Sequence, residues 1–201
     1  MRELVFLLEE ASAQAMLEGL LPKLLPDGAT VRYLVFEGKS DLEKQLTRKV
    51  KAYCNPEARF IVLRDQDSAP DCIAIKAKIV SLCANAGKPD ALVRIACREL
   101  ESFYLADLAA VENGLALSGL ARHQGKQKFR SPDYLGSPSR ELVKLTKGRY
   151  QKVGGSRAIG PWLDPNNTRS DSFRNLVAGI QKIVFCGGPS PLNPVTATVM
   201  Y

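Results

Sequence analysis

The 201-residue sequence contains one histidine, His123, and five cysteines at positions 54, 72, 83, 97 and 186. A single imidazole excludes a His-rich metal centre. No two cysteines form a CxxC pair, so neither a zinc site nor a disulfide framework is expected. Reduced thiols suit a cytoplasmic protein. No apolar run approaches the roughly 18 residues that a membrane-spanning helix needs, and Met1-Arg2-Glu3-Leu4 enters a predicted strand at once rather than a leader, so no membrane partner is expected. The sequence also lacks a P-loop. Gly38-Lys39-Ser40 matches its end, but residues 29–37 contain no glycine, which argues against ATP hydrolysis by this chain.

What is present is an apolar fraction of 45%, enough for a core without staples. Residues 3–8, 30–36, 60–64 and 91–97 read as strands dense in Val, Ile, Leu and Phe, and residues 13–25, 38–53, 71–86 and 98–111 read as helices. Ser12 is the expected N-cap of the first helix, Pro22 a kink within it or the start of a new turn, and Ser40 with Glu43 a capping box for the second. This alternation predicts an α/β fold with a mostly parallel, Rossmann-like sheet of about four strands and helices on both faces. Beyond Gly114 the pattern weakens. Residues 122–138 read as an extended surface segment, 139–147 as a helix capped by Ser139, 149–155 as loop, 158–163 as one turn, 172–184 as the last helix, and the stretch from 187 as a strap or loose end. The expected organisation is a core over residues 1–112 and a mainly helical, basic extension over 113–201 packed on it.

Net charge is +7 and uneven. Residues 111–201 carry 13 Lys+Arg against 5 Asp+Glu, whereas residues 1–110 carry 15 against 16. That division suits an enzyme that grips a polyanion with one part and acts on it with another; an uninvolved basic face is the plain alternative. Lys126, Lys128, Arg130, Arg149, Lys152 and Arg157, with Phe129, Tyr134 and Tyr150 between them, form the candidate nucleic-acid surface, joined by Arg169. Cations would meet phosphates and rings would stack on bases.

The most informative stretch is the apolar strand over residues 60–63 that runs through Arg64 into Asp65-Gln66-Asp67. In extended backbone, residues i and i+2 face one way, so the two aspartates are expected side by side at the strand's carboxyl end, where open α/β sheets place their ligands. Glu9-Glu10 follows the first strand, and Glu99 and Glu101 follow the fourth. A parallel sheet brings all three acidic clusters to one edge. Crowded carboxylates favour a cation, and Mg²⁺ takes oxygen ligands of this kind. The candidate metal ligands are therefore Glu9, Asp65, Asp67, Glu99 and Glu101, with Glu9 preferred over Glu10 and Glu101 over Glu99. Lys39 and Lys152 are candidate catalytic cations, each equally readable as a solvated charge.

Leu7-Leu8-Glu9-Glu10 followed by a strand ending Asp65-Gln66-Asp67 resembles the TOPRIM fold of topoisomerases, primases and OLD-family nucleases. The resemblance implies that Glu9, Asp65 and Asp67 bind Mg²⁺ or Mn²⁺. A closer resemblance is to a bacterial TOPRIM-like family of unknown function related to OLD nucleases and encoded beside ABC/RecF-type ATPases in defence-type operons. It rests on Glu9-Glu10-Ala11-Ser12, Gly38-Lys39-Ser40-Asp41-Leu42, residues 62–68, residues 94–101, Tyr150-Gln151-Lys152 and residues 169–173. It implies a metal-dependent nuclease that hydrolyses phosphodiester bonds in DNA or RNA, with an ATPase partner in phage defence or repair and a homodimer as one allowed assembly. OLD-like members carry a further acidic residue shortly after the first glutamate, where this chain has Ala13 and Gln14, so a second metal would need Glu99 or Glu101. No tyrosine aligns as a topoisomerase nucleophile, which favours hydrolysis. A catalytically silent adaptor that binds nucleic acid or the ATPase is the alternative.

Overall fold

A computed structural model describes residues 3–185. Strands alternate with helices through the first half: β1 (Leu4–Leu8), α1 (Ala11–Leu20), β2 (Val31–Val35), α2 (Lys39–Lys51), β3 (Arg59–Asp65), α3 (Cys72–Asn85) and β4 (Leu92–Ala96). The second half is helical: α4 (Glu101–Leu105), α5 (Leu108–Gly114), α6 (Gln127–Arg130), α7 (Pro138–Leu145), α8 (Lys152–Ile159) and α9 (Asp171–Phe185). The four strands form one all-parallel sheet in the order β2-β1-β3-β4. This is the α/β architecture that the alternating pattern predicts.

Burial on both faces explains why the strands are almost wholly apolar. Leu4, Phe6 and Leu8 of β1 and Ile61 and Leu63 of β3 pack with Met16, Leu17 and Leu20 of α1 and with Phe103, Phe173 and Leu176 from the helical half. Val5, Leu7, Phe60 and Val62 point the other way, onto Leu42, Leu46 and Val50 of α2 and Ile75, Ile79 and Cys83 of α3. The chain leaves β1 over one face to reach β2, then crosses the other face to β3 on the far side of β1. The carboxyl ends of β1 and β3 therefore flank a topological switch point, where the diverging connections leave a crevice.

The two halves share the first core. Phe129, Leu142, Ile159 and Ile180 belong to the same buried cluster as Phe6 and Met16, and position 112/113 falls within α5. α8 and the 3₁₀ turn that follows it, Gly160–Trp162, both lie against α1. At the turn little room is left: a Cβ at Gly19 would collide with Pro161, and one at Gly160 would stand 2.5 Å from the Met16 carbonyl oxygen.

Several local expectations change. Glu10, not Ser12, is the N-cap residue of α1, because the chain passes into the helix directly from β1; Ser12 is buried within the helix. The helix stops at Leu20, and of the two roles expected of Pro22 the structure shows the second, a new turn, the 3₁₀ segment Leu21–Lys23. Gly38, with φ of +91°, is the N-cap of α2, and no capping box forms, because Glu43 turns to Arg64 and Lys78 instead. The predicted 98–111 helix is two helices. Asp107 separates them, its Oδ1 accepting from the Ala110 N–H and its Oδ2 from the Asp164 N–H. Residues 122–138 contain α6 and two 3₁₀ turns rather than extended chain, since Phe129 turns inward. Ser137, not Ser139, precedes α7, with Pro138 at its first position. Residues read as loop over 149–155 enter α8, whose Gly155 allows the close approach of Tyr150. The stretch from 187 lies outside the described residues. Among the described residues, no helix is long and apolar enough to cross a membrane.

Candidate functional site

The edge at the carboxyl ends of the strands is built mainly by backbone hydrogen bonds. The Glu9 N–H still reaches the Leu63 carbonyl, at 3.4 Å, and the Glu9 carbonyl accepts from the Gly38 N–H at 3.0 Å. Past β3, the Gln66 and Asp67 N–H groups donate to the Ala96 and Arg98 carbonyls at 2.9 and 2.6 Å. Asp67 has φ of +56° and Arg98 of +63°, so both loops turn sharply here. The turn breaks the strand alternation, and the two aspartates meet different neighbours rather than standing side by side. Gln66 braces the pair of loops. Its Oε1 accepts from the Arg98 N–H at 3.2 Å and its Nε2 donates to the Ala69 carbonyl at 2.9 Å.

Glu9 is the centre of the acidic group. Its Oε2 accepts from the Asp65 N–H at 3.2 Å and stands 3.8 Å from the Arg64 Nε. Burial, then the charge of Asp67, pushes the Glu9 carboxyl above its usual range, against the Asp65 N–H and Arg64. Asp65 is pushed well above its usual range by burial, then by Glu9 and Glu101. Glu101, 1% exposed, is also pushed up by burial, while the Tyr150 hydroxyl donates to it at 2.9 Å and acts the other way. Half-buried Asp65, at the end of β3, thus faces the charges of both Glu9, just past β1, and Glu101, at the start of α4.

Two lysines flank it. Lys39, at the start of α2, pairs with Asp67 at 3.0 Å, and that hydrogen bond raises the pKa of the ammonium group. Lys152, at the start of α8, pairs with Glu10. Burial works to lower the Lys152 pKa, but Glu10, Glu101 and Asp65 outweigh it. A cleft of about 450 Å³ opens on the α2–α3 side, with Lys39, Arg64, Asp67 and Lys78 in its wall. Another of about 460 Å³ opens on the opposite flank, lined by Glu101, Ser139, Tyr150 and Lys152 among others.

The sequence-predicted residues divide accordingly. Glu9, Asp65, Glu101 and Lys152 come together, and Asp67 and Lys39 lie beside them. The Glu99 carboxylate instead accepts from the Ser139 N–H at 2.6 Å, at the start of α7. Lys126, Lys128, Arg130, Arg149, Lys152, Arg157 and Arg169 are all exposed. Lys128 pairs with Glu141, and Arg130 Nε donates to the Gly125 carbonyl. Two of the three aromatic rings placed among these cations are buried. Phe129 and Tyr150 are core residues with no face to offer a base, whereas Tyr134 is 81% exposed. Sequence reasoning passed over Arg64 and the contact of Tyr150 with Glu101. The signal for Arg64 was a charge set between Leu63 and Asp65 in an otherwise buried strand, which requires an anionic partner.

The donor set, all carboxylate oxygen, suits a hard divalent cation. Among the described residues, no group of three or more His, Cys, Asp or Glu side chains is gathered closely enough to hold a metal ion. Each carboxylate is engaged by its own partner: Asp67 by Lys39, Glu9 by the Asp65 N–H, and Glu101 by Tyr150. The donors fit in kind, and a cation would have to draw them inward.

A family model described as "Domain of unknown function (DUF4276)" matches residues 8–181. No curated protein matches the chain. Among solved structures, the fold is similar to the C-terminal region of the Burkholderia pseudomallei OLD protein, with a TM-score of 0.55 and 15% identity over 90% of this chain and 98% of that one. The C-terminal region of the Xanthomonas campestris pv. campestris OLD protein aligns at a TM-score of 0.49 and 15% identity, over 92% of this chain and 96% of that one.

Proposed function

The chain belongs to the DUF4276 family, and from its acidic sheet edge we propose that it is a TOPRIM-like nuclease that uses Mg²⁺ or Mn²⁺ to hydrolyse phosphodiester bonds in DNA or RNA. The observation that carries this reading is the cluster of Glu9, Asp65 and Glu101 at the switch point between β1 and β3. Holding half-buried Asp65 between the buried carboxyls of Glu9 and Glu101 is costly unless a cation offsets the charge. Perturbed carboxyls beside a cleft are candidates for function, and Asp67 and Glu101 line the two clefts that flank this edge. The likeness in fold to the OLD C-terminal region supports the reading, as does the resemblance carried by Glu9 and Asp65-Gln66-Asp67.

Glu9, Asp65 and Asp67 would hold the metal, with Glu101 completing the set. The bound ion would polarise the phosphate and lower the pKa of an attacking water. Lys152 stands beside Asp65 and Glu101 and offsets charge on a phosphate entering from the α8 flank. Lys39, which pairs with Asp67, would meet the phosphate from the other flank. Tyr150 holds the Glu101 carboxylate in place by its hydroxyl. The exposed cations from Lys126 to Arg169 would track the backbone of the strand. An ABC/RecF-type ATPase partner and a role in phage defence or repair follow from the family resemblance.

The test is cleavage of plasmid, single-stranded DNA and RNA with Mn²⁺, comparing wild type with Glu9→Ala and Asp67→Ala. Cleavage by wild type that both variants lose supports the reading. Metal affinity unchanged in both variants refutes the site. The silent-adaptor reading draws on the separation of the carboxylates, since Asp67 is held by Lys39 and, among the described residues, no three donors converge. Metal binding without cleavage of any substrate, with the ATPase present, would favour it.

A further inference from the structure

The cleft on the α2–α3 side differs in chemistry from the acidic cluster beside it. Its wall carries Lys39, Arg64 and Lys78 against Glu43 and Asp67, an excess of positive charge. Arg64 is 6% exposed. Its Nη1 donates to Glu43 at 2.9 Å, but its buried Nε has no hydrogen-bond partner, with Glu9 Oε2 left at 3.8 Å. An unmade hydrogen bond on a buried guanidinium costs stability and calls for an explanation such as a missing ligand. Lys39 and Ser40, which begin α2, stand in the same wall. α2 is a 13-residue helix whose cap, Gly38, has no side chain, so no side-chain hydrogen bond closes its first turn. Free N–H groups and the positive end of the helix dipole favour an anion there. A buried planar donor in the same wall as a helix N-terminus and the two ammonium groups of Lys39 and Lys78 matches the oxygens of a phosphate.

We propose that this cleft is a phosphate-binding subsite, filled either by a phosphate of the nucleic-acid strand next to the one at the carboxylate cluster or by that of a free nucleotide. The first source rests on the nuclease reading; the second does not. A phosphate here would accept from Arg64 Nε and the first turn of α2, and would pair with Lys78. In the strand-bound case the subsite fixes which phosphodiester reaches Glu9 and Asp65, so it sets the register of cleavage.

The experiment measures binding by the full chain in EDTA, with a 3′-labelled single-stranded oligonucleotide, inorganic pyrophosphate and AMP as probes. The variants are Lys78→Ala and Ala74→Glu. Ala74 is an exposed position on α3 in the cleft wall, so a glutamate there adds repulsion without removing packing. Each variant should weaken oligonucleotide binding about fivefold, and Lys78→Ala should reduce the salt dependence by about one counterion. Pyrophosphate should compete with the strand. Wild-type affinity of both variants for all three probes, with wild-type salt dependence, overturns the proposal. AMP binding that the variants lose, with strand binding unaffected, retains the phosphate site and overturns the strand as its source. Mn²⁺-dependent cleavage measured on the same samples separates the two readings. Cleavage with unaltered binding in the variants removes the subsite alone, and altered binding without cleavage in wild type removes the nuclease alone.

Discussion

Replacing Asp65 by asparagine should make the metal-free protein more stable at neutral pH. The Asp65 carboxyl is pushed well above the usual aspartate range by burial, Glu9 and Glu101. The folded state then binds its proton more tightly than the unfolded chain does. Its contribution is fully present below the unfolded pKa and is lost as pH rises toward the folded one. Above about pH 4, each pH unit removes about 1.4 kcal/mol for this one group until the folded pKa is reached. Glu9 and Glu101, both also raised, add to the fall. Asp65→Asn removes this group's part of the fall while keeping the side chain's shape. Urea denaturation in EDTA from pH 5 to 8 should show wild-type stability falling with pH and the variant's curve flatter, with the gap widening upward. Mg²⁺ should restore wild type and leave the variant unaffected. Parallel curves for the two proteins, or a gap that narrows with pH, would refute the argument that this carboxyl is held in an unfavourable field.

Other expectations follow from single contacts. Tyr150→Phe removes the hydroxyl that serves Glu101; it should cost about 1–3 kcal/mol in urea denaturation and weaken Mn²⁺ binding in a calorimetric titration. Lys39→Ala breaks a half-exposed pair with Asp67. Stability should change by less than about 1 kcal/mol, Mn²⁺ should bind more tightly because Asp67 is freed, and cleavage should fall; weaker metal binding would contradict this account. Phe129→Ala should cost about 3–5 kcal/mol as a core truncation. Tyr134→Ala, at an exposed ring, should leave stability within about 0.5 kcal/mol and lower oligonucleotide affinity in an anisotropy titration.

The sheet was legible because buried parallel strands declare themselves as short Val/Ile/Leu/Phe runs, and residues 3–8, 60–64 and 91–97 are of that kind. That the acidic residues share an edge also follows from parallelism. The relations among them were not legible. Alternation places Asp65 and Asp67 together only while the backbone stays extended, and φ of +56° at Asp67 ends that. The helical half was read least well, for a physical reason. Its elements are short and held by tertiary packing, so Phe129 reads as a ring between basic residues when it is a core anchor, and Gly154-Gly155 reads as loop when it lies inside α8. Tyr150 shows the same limit: its partner lies 49 residues away, at a separation no local pattern encodes.

The contact of α8 with α1 and of Tyr150 with Glu101 bears on how the protein comes into being. Synthesis is vectorial, and the N-terminal part of a chain begins to fold first. Glu9, Asp65, Asp67 and Glu101 are all translated before Tyr150, Lys152 and Gly155. A nascent chain that has formed the sheet therefore exposes an acidic edge without the hydroxyl, the ammonium group or the helix that later close over it. In this order of events the docking of α8 onto α1 is also the step that completes the site, so a late folding event and the onset of any activity coincide.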